Sequence, residues 1–323
     1  MPPVRTHRLA QLTSHLTRTM SSSSPTAPGP APWRAPFLKN VTEMASPEFT
    51  LATIHAGPTP TAGQQPSLSP RTRTVIFRGL WASLPVNPKN TAELNPQVYE
   101  SDMLTLTTDA RMAKVPDFFG SSSTTASDGT TSSGGGAPVE ACFWTDAKVQ
   151  WRVRGEAYVL GPDIEGSSSA ALREKLLSRM RRLSESEAHK RTAEDLPSEV
   201  RGHVVAADGS GWRFDREVTA HFGNLSPGMR GTFRNPEPGA ARKANPPDDT
   251  YKLGQKVEDL HDKAARANFR VVVIVPTEVD QTDLSDAEDP RRWLYRFIGA
   301  AADGEKPEGA ERANGWEKIE TWP

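Results

Sequence analysis

The chain has 323 residues, enough for two average domains, but Ser-, Gly- and Pro-rich tracts occupy so much of it that one domain with insertions is expected. Its 39 Lys and Arg balance 40 Asp and Glu, so no global field draws it to nucleic acid or an anionic membrane, and any anion site must be local. A single cysteine, Cys142, excludes an internal disulfide framework and a thiolate metal site, and the longest apolar run, 271–275, is far shorter than the ~20 residues a membrane-spanning helix needs.

Residues 1–31 carry Arg5, His7, Arg8 and Arg18 with no acid before Glu43, and Leu9, Leu12 and Leu16 share a helical face. The composition resembles a mitochondrial transit peptide; the alternative is a disordered tail on a cytoplasmic protein. Residues 33–44 have the spacing of a short helix, with Phe37, Val41 and Met44 on one side. Strand patterns follow at 48–54, 73–84, 103–108, 140–145, 149–160, 268–276 and 293–298, with a closing strand at 315–321. Many strands with few intervening helices indicate a mainly β chain, an antiparallel β-barrel with flanking helices. Low-complexity stretches at 57–69, 120–138 and 235–249 read as loop insertions, the Gly134–Gly136 triplet included, because no helix follows it to cradle a phosphate. Between 167 and 189, Leu172, Leu176, Met180 and Leu183 form an apolar stripe, which predicts an amphipathic helix with a solvated basic face.

Three segments carry chemistry. In the strand 73–78, a period of two puts Arg73, Val75 and Phe77 on one face and Thr74, Ile76 and Arg78 on the other, so two guanidinium groups bracket an apolar strand. Segment 104–114 reads as a strand running into a short helix capped by Thr108 or Asp109. There the helix N-terminus, the Thr107 and Thr108 hydroxyls and the Lys114 ammonium converge on one anion. Gln150, five residues before Gly155, places a neutral amide among apolar and basic neighbours. The sequence offers no Ser/His/Asp triad, and its seven histidines are scattered rather than spaced as metal ligands, so no metal is expected.

In this order the segments resemble the pyridoxamine 5'-phosphate oxidase-like FMN-binding split-barrel family, in its divergent branch. The landmarks are Pro32-Trp33-Arg34, the strand starting at Phe49, Arg73 to Arg78, Thr108-Asp109-x-Arg111-x-x-Lys114, and Gln150 ahead of Gly155. Leu225-Ser226 with Arg230 and Phe233, Pro236-x-Pro238-Gly239, Arg291-Arg292 and Trp316 continue the likeness to the C-terminus, so residues 32–323 are expected to form one domain. The resemblance implies FMN as cofactor, its phosphate held by Arg73, Arg78 and Lys114 with Val75, Thr107 and Thr108 beside them. It implies Gln150 and Arg292 near the ring, some of these groups coming from the second subunit of a homodimer. It further implies an oxidoreductase passing hydride from a small substrate, such as a pyridoxal-type vitamer, to the flavin. Arg78 stands where the classical oxidase has lysine and keeps the cation, and Met112 stands where serine is usual, removing a hydroxyl partner; the departure that counts against pyridoxamine phosphate itself is Glu288-Asp-Pro-Arg-Arg292 in place of the Arg-Leu-His-Asp-Arg substrate run, only its last arginine matching. A flavin-binding carrier, sensor or assembly module is the alternative.

Overall fold

The computed structural model describes residues 29–57, 67–120, 132–205, 211–243, 247–299 and 306–323; the tail assigned to 1–31 lies almost wholly outside them. Helix α1 (Arg34–Thr42) precedes the hairpin of β1 (Glu48–Ala56) and β2 (Leu68–Ile76). Then come β3 (Tyr99–Ser101), β4 (Leu104–Asp109), β5 (Gly134–Trp144) and β6 (Val149–Leu160). The middle of the chain holds α2 (Ala170–Leu177), β7 (Met180–Arg182), α3 (Glu185–Glu194), α4 (Phe214–Gly223), α5 (Pro227–Gly231) and α6 (Lys263–Asn268). The last elements are β8 (Phe269–Asp283), β9 (Arg291–Phe297), β10 (Glu311–Ala313) and β11 (Trp316–Thr321).

Antiparallel pairing runs β2-β1-β5-β6-β8, and β4 joins the other edge of β8. The chain leaving β2 then bonds to β4: Arg78 N–H donates to Thr105 O (2.9 Å), Thr105 N–H to Gly79 O (3.0 Å) and Trp81 N–H to Met103 O (2.8 Å). That contact closes a six-stranded barrel and removes its edges. The second half of β8 parts from β4 and pairs with β9, which continues through β11 to β10, and this divergence splits the barrel.

Burial explains the sequence patterns. Along β6, Val149, Trp151, Val153, Ala157 and Val159 point into the barrel, while Gln150, Arg152 and Arg154 point outward. The first eight residues of β8 are all buried because this strand lies between two cores. Val272 and Ile274 face the barrel; Phe269, Val271, Val273 and Val275 face the layer of helices with Trp81, Leu176 and Phe222. Helix α1 covers the barrel with Phe37, whose ring sits edge-on to Trp33, Phe77, Phe143 and Trp151 at centroid distances of 5.7, 5.7, 5.1 and 5.6 Å.

Where β6 crosses onto the two halves of β8, the register slips between Arg154 and Gly155. A Cβ on Gly155 would lie 2.1 Å from the Val275 carbonyl oxygen, so only glycine fits the crossing. Gly155→Ala is therefore expected to cost about 3 kcal/mol, read as a lower urea midpoint at unchanged slope.

Three sequence expectations are corrected. The helix expected over 167–189 breaks after Leu177, because Met180 to Arg182 pair with Ser101 to Tyr99 as a strand; Leu172, Leu176 and Met180 still reach one core. Arg181 on that strand meets Glu100 (2.7 Å) and Asp102 (3.1 Å), ion pairs that a continuous helix would forgo. Residues 134–138, read as part of an insertion, begin β5, where Gly135 and Gly136 adopt positive φ beside a bulge. Likewise β2 starts at Leu68, inside the stretch assigned to the 57–69 insertion. Among the described residues no helix is long and apolar enough to cross a membrane.

Candidate functional site

Strand β4 ends in a turn, not the capped helix read from 104–114. The Asp109 carboxylate accepts the Arg111 backbone N–H (2.8 Å) and grips the Arg111 guanidinium at 3.0 and 2.7 Å, so this side chain organises a turn and exposes no row of helix N–H groups. The chain next reaches Lys114 and a 3-10 turn, Pro116–Phe118, whose Phe118 enters the barrel core.

Four residues singled out in the sequence, Arg78, Thr107, Thr108 and Lys114, line one cavity of about 580 Å³. Its opposite wall is largely apolar, with Leu225, Met229, Phe233, Pro236, Pro238 and Leu253 interrupted by Glu237 and Arg242. Most of that wall falls in the stretch 235–249 or its flanks. The described residues of 235–249, expected as a loop insertion, carry no helix or strand and line this side of the cavity. Asn268 Nδ2 donates to Phe233 O (2.8 Å) and the Arg111 guanidinium to Asn235 O (3.1 Å), which fastens the wall to the barrel.

Arg78, Lys114 and Arg242 are the cations that line the cavity, and Asp109 and Glu237 the acids. Neither Arg78 nor Lys114 forms an ion pair with a described residue, and the buried Arg78 Nε–H has no hydrogen-bond partner. Burial pushes the Arg78 pKa down, and burial together with the nearby Arg73 charge does the same to Lys114. Of the two acids on the cavity, Asp109 is committed to Arg111 and Glu237 forms no ion pair with Arg78 or Lys114. Two desolvated, unneutralised cations on one cavity are unfavourable alone and favourable with an anion bound.

Beneath Arg78, His221 is 1 % exposed and stacks on Trp81 (5.9 Å, 12° between planes). Burial, helped by the Arg78 charge, lowers its pKa to about 3. The unfolded chain thus binds one more proton than the fold at pH between about 3 and the ordinary histidine value near 6.5, so stability falls as pH drops through that window. His221→Gln is expected to remove up to about 1.4 kcal/mol per pH unit of slope there, measured by urea unfolding at pH 7, 6 and 5.

The other expected site residues lie elsewhere. Arg73 points back across the barrel mouth: its guanidinium donates to Thr53 Oγ1 (2.7 Å) and Leu51 O (3.2 Å) and meets Asp117 at 3.3 Å. It does not line the cavity, though its charge is felt at Lys114. Val75 packs against the barrel core opposite Phe49. Gln150 and Arg292 stand on the outer face in one cross-strand row: Trp144, Gln150, Thr282, Arg292 and Thr321. Arg292 there is clamped to Asp280 at 3.0 and 2.9 Å, and Arg152 also binds that carboxylate. Burial pushes the Asp280 pKa up, but the two arginines outweigh it and hold the acid below its usual range. Along β8, Val271 lies opposite Thr107 and Thr282 opposite Gln150, eleven residues or roughly 35 Å of strand apart. Neither Gln150 nor Arg292 lines the cavity.

Residues 30–161 match the family model described as "Pyridoxamine 5'-phosphate oxidase, FMN-binding domain". The match ends as β6 ends, so it includes Arg78, Thr107, Thr108 and Lys114 but not the apolar wall. Among solved structures, a pyridoxamine 5'-phosphate oxidase-related, FMN binding protein from Nostoc punctiforme is 18 % identical over 91 % of this chain and 100 % of its own, with a TM-score of 0.45. PhzG from Burkholderia lata, solved with tetrahydrophenazine-1-carboxylic acid, is 13 % identical over 89 % of this chain and 86 % of its own, with a TM-score of 0.30. No curated protein matches the chain.

Proposed function

We propose, from the match of residues 30–161 to the pyridoxamine 5'-phosphate oxidase FMN-binding domain model, that the cavity between β4 and the wall of Leu225, Phe233, Pro236 and Leu253 holds FMN and that the protein is a flavin-dependent oxidoreductase. The observation that carries this reading is the pair of unneutralised cations, Arg78 and Lys114, beside the Thr107 and Thr108 hydroxyls on a cavity with a largely apolar far wall. A phosphomonoester with nearly two negative charges answers the first half of that description and an aromatic ring system the second. Arg73, reaching the same region through its charge on Lys114, adds to the potential. Bound FMN supplies hydride acceptance from a small reduced substrate and reoxidation by oxygen or another acceptor. The chain's own contribution is to anchor the phosphate and to line the ring with Leu225 and Phe233.

In the proposed homodimer Gln150 and Arg292, eleven residues along β8 from the Thr107 row, approach the flavin from the second copy. Trp144, 55 % exposed at the end of their row, and Trp322, 91 % exposed just beyond Thr321, are large apolar surfaces that such a copy would cover. Trp144→Glu is expected to convert the dimer to monomer in analytical ultracentrifugation and to loosen FMN. A chain already monomeric while fully loaded with FMN would remove this part of the proposal.

One observation favours a carrier or sensor without turnover. Asp280 claims both Arg292 and Arg152, leaving neither guanidinium free to orient a substrate. The visible spectrum of the purified protein, with its cofactor released and identified, tests the shared premise of both readings. Hydrogen peroxide release with pyridoxamine-type amines or other small reductants then separates oxidase from carrier. Colourless protein with no affinity for FMN contradicts both.

A further inference from the structure

Arg242 is the third cation on the cavity, and it comes from the wall opposite Arg78 and Lys114. It lies two residues past a turn in which the Ala240 N–H donates to Glu237 O (3.3 Å) and Gly239 has a φ of 82°, with Pro238 before it. Proline followed by a left-handed glycine is the pairing of a type II turn, and it fixes the direction in which the chain leaves the wall. Arg242 is exposed and yet lines the cavity, so it stands where the cavity opens to solvent. The family-model match, which ends at residue 161, does not include it.

Neither acid on the cavity is paired with Arg242. Asp109 grips Arg111 at 2.7 Å, and the Glu237 charge also acts on Arg111. Arg242 itself forms no hydrogen bond or ion pair with a described residue. When FMN is bound, Arg78 and Lys114 balance a phosphate with nearly two negative charges, which leaves one positive charge on the far side of the same cavity. Arg292, the arginine expected near the ring, is held by Asp280 and does not line the cavity. The apolar wall divides in the same way: Leu225 and Phe233 are buried, whereas Met229 and Leu253, the latter 63 % exposed, face the opening beside Arg242.

We propose that Arg242 selects the substrate, a small monocarboxylate with an apolar body, its carboxylate on the Arg242 guanidinium and its body against Met229 and Leu253. The inference rests on the FMN reading of the cavity and adds to it the class of molecule that meets the flavin. One guanidinium answers one negative charge, and its planar donor fork fits the two oxygens of a carboxylate; a phosphomonoester would bring a second charge that no further cation on this wall offsets. The exposed Met229 and Leu253 side chains gain from being covered, which a carboxylate without an apolar body would not do.

The test titrates the FMN-loaded full chain with benzoate, and separately with benzamide, its uncharged counterpart of the same shape, in wild type and Arg242→Gln, with the flavin absorbance as the signal. Wild type is expected to bind benzoate roughly tenfold or more tighter than benzamide, the low end of what a charge-assisted contact contributes. Arg242→Gln should bind the two alike and keep its affinity for FMN. If wild type does not bind benzoate, or binds it no tighter than benzamide, or if the preference survives the substitution, the role assigned to Arg242 is wrong and the FMN site stands. A variant that loses affinity for FMN but not for riboflavin places Arg242 on the cofactor phosphate and overturns the proposal as well. If wild type does not bind FMN, the cavity assignment fails and this inference fails with it.

Discussion

Replacing both Arg78 and Lys114 with Ala should abolish FMN binding at micromolar concentration. Each side chain offers a half-buried cation with no carboxylate partner among the described residues, so each loses a charge-assisted hydrogen bond, about 1.5 to 3 kcal/mol, or roughly 10- to 150-fold in affinity. The single variants should weaken FMN by those factors and leave riboflavin, which lacks the phosphate, nearly unaffected. Stability should hold or rise, because removing an unpaired desolvated charge relieves a cost rather than breaking a contact. Fluorescence quenching of the flavin gives the affinities and a urea titration the stability. Unchanged FMN affinity in both single variants would show that the phosphate sits elsewhere. Arg73 makes a useful contrast, since Arg73→Ala also strips Asp117 and Thr53 of a partner and should lower stability as well as affinity.

The largest structural effect is expected from Phe37→Ala. Phe37 is fully buried and lies edge-on to four aromatic rings from α1, the chain after β2, β5 and β6, so its removal leaves a cavity that four differently anchored elements cannot all collapse into. The cost is about 3 to 5 kcal/mol, a fall in Tm of roughly 10 °C for a domain of this size. The variant should keep its cavity residues in place and bind FMN at low temperature. Calorimetry measures the first expectation; a shift below 3 °C would mean that α1 is not integral to the barrel.

These two outcomes separate what was legible in the sequence from what was not. The barrel could be read because its strands bury one face: Val149, Trp151 and Val153 alternate with Gln150, Arg152 and Arg154 just as the strand period requires. The cations Arg78 and Lys114 could be read because basic residues ending an apolar strand and following a Thr-rich one are conspicuous in local sequence. The wall at 235–247 could not, since its Pro-rich composition matches that of a loop, and only the long-range bonds to Asn268 and Arg111 turn it into one side of a cavity. The stripe from Leu172 to Leu183 was misassigned for a related reason: a helix followed by a strand can bring Leu172, Leu176 and Met180 to the same core, and periodicity cannot distinguish that path from one long helix. The pairing of Arg73 with Asp117, 44 residues away, leaves no trace in either segment alone. For the same reason Arg73 was expected among the groups lining the site and is instead found bracing its edge.

The divided placement of the site residues also has a functional consequence. Groups expected on the phosphate lie inside one protomer, whereas Gln150 and Arg292 lie on the outer face of the sheet, so a dimer would let each subunit anchor one flavin and approach the ring of the other. Loss of dimerisation and loss of cofactor should then occur together on dilution, each protecting against the other by mass action.

The central claim, that two unneutralised cations make the cavity a phosphate site, is tested most directly by titrating the purified, cofactor-stripped protein calorimetrically with FMN and with riboflavin at the same pH. A preference for FMN of roughly 100-fold or more is expected, the product of two charge-assisted contacts at the low end of their range. Equal affinity for the two flavins would contradict it.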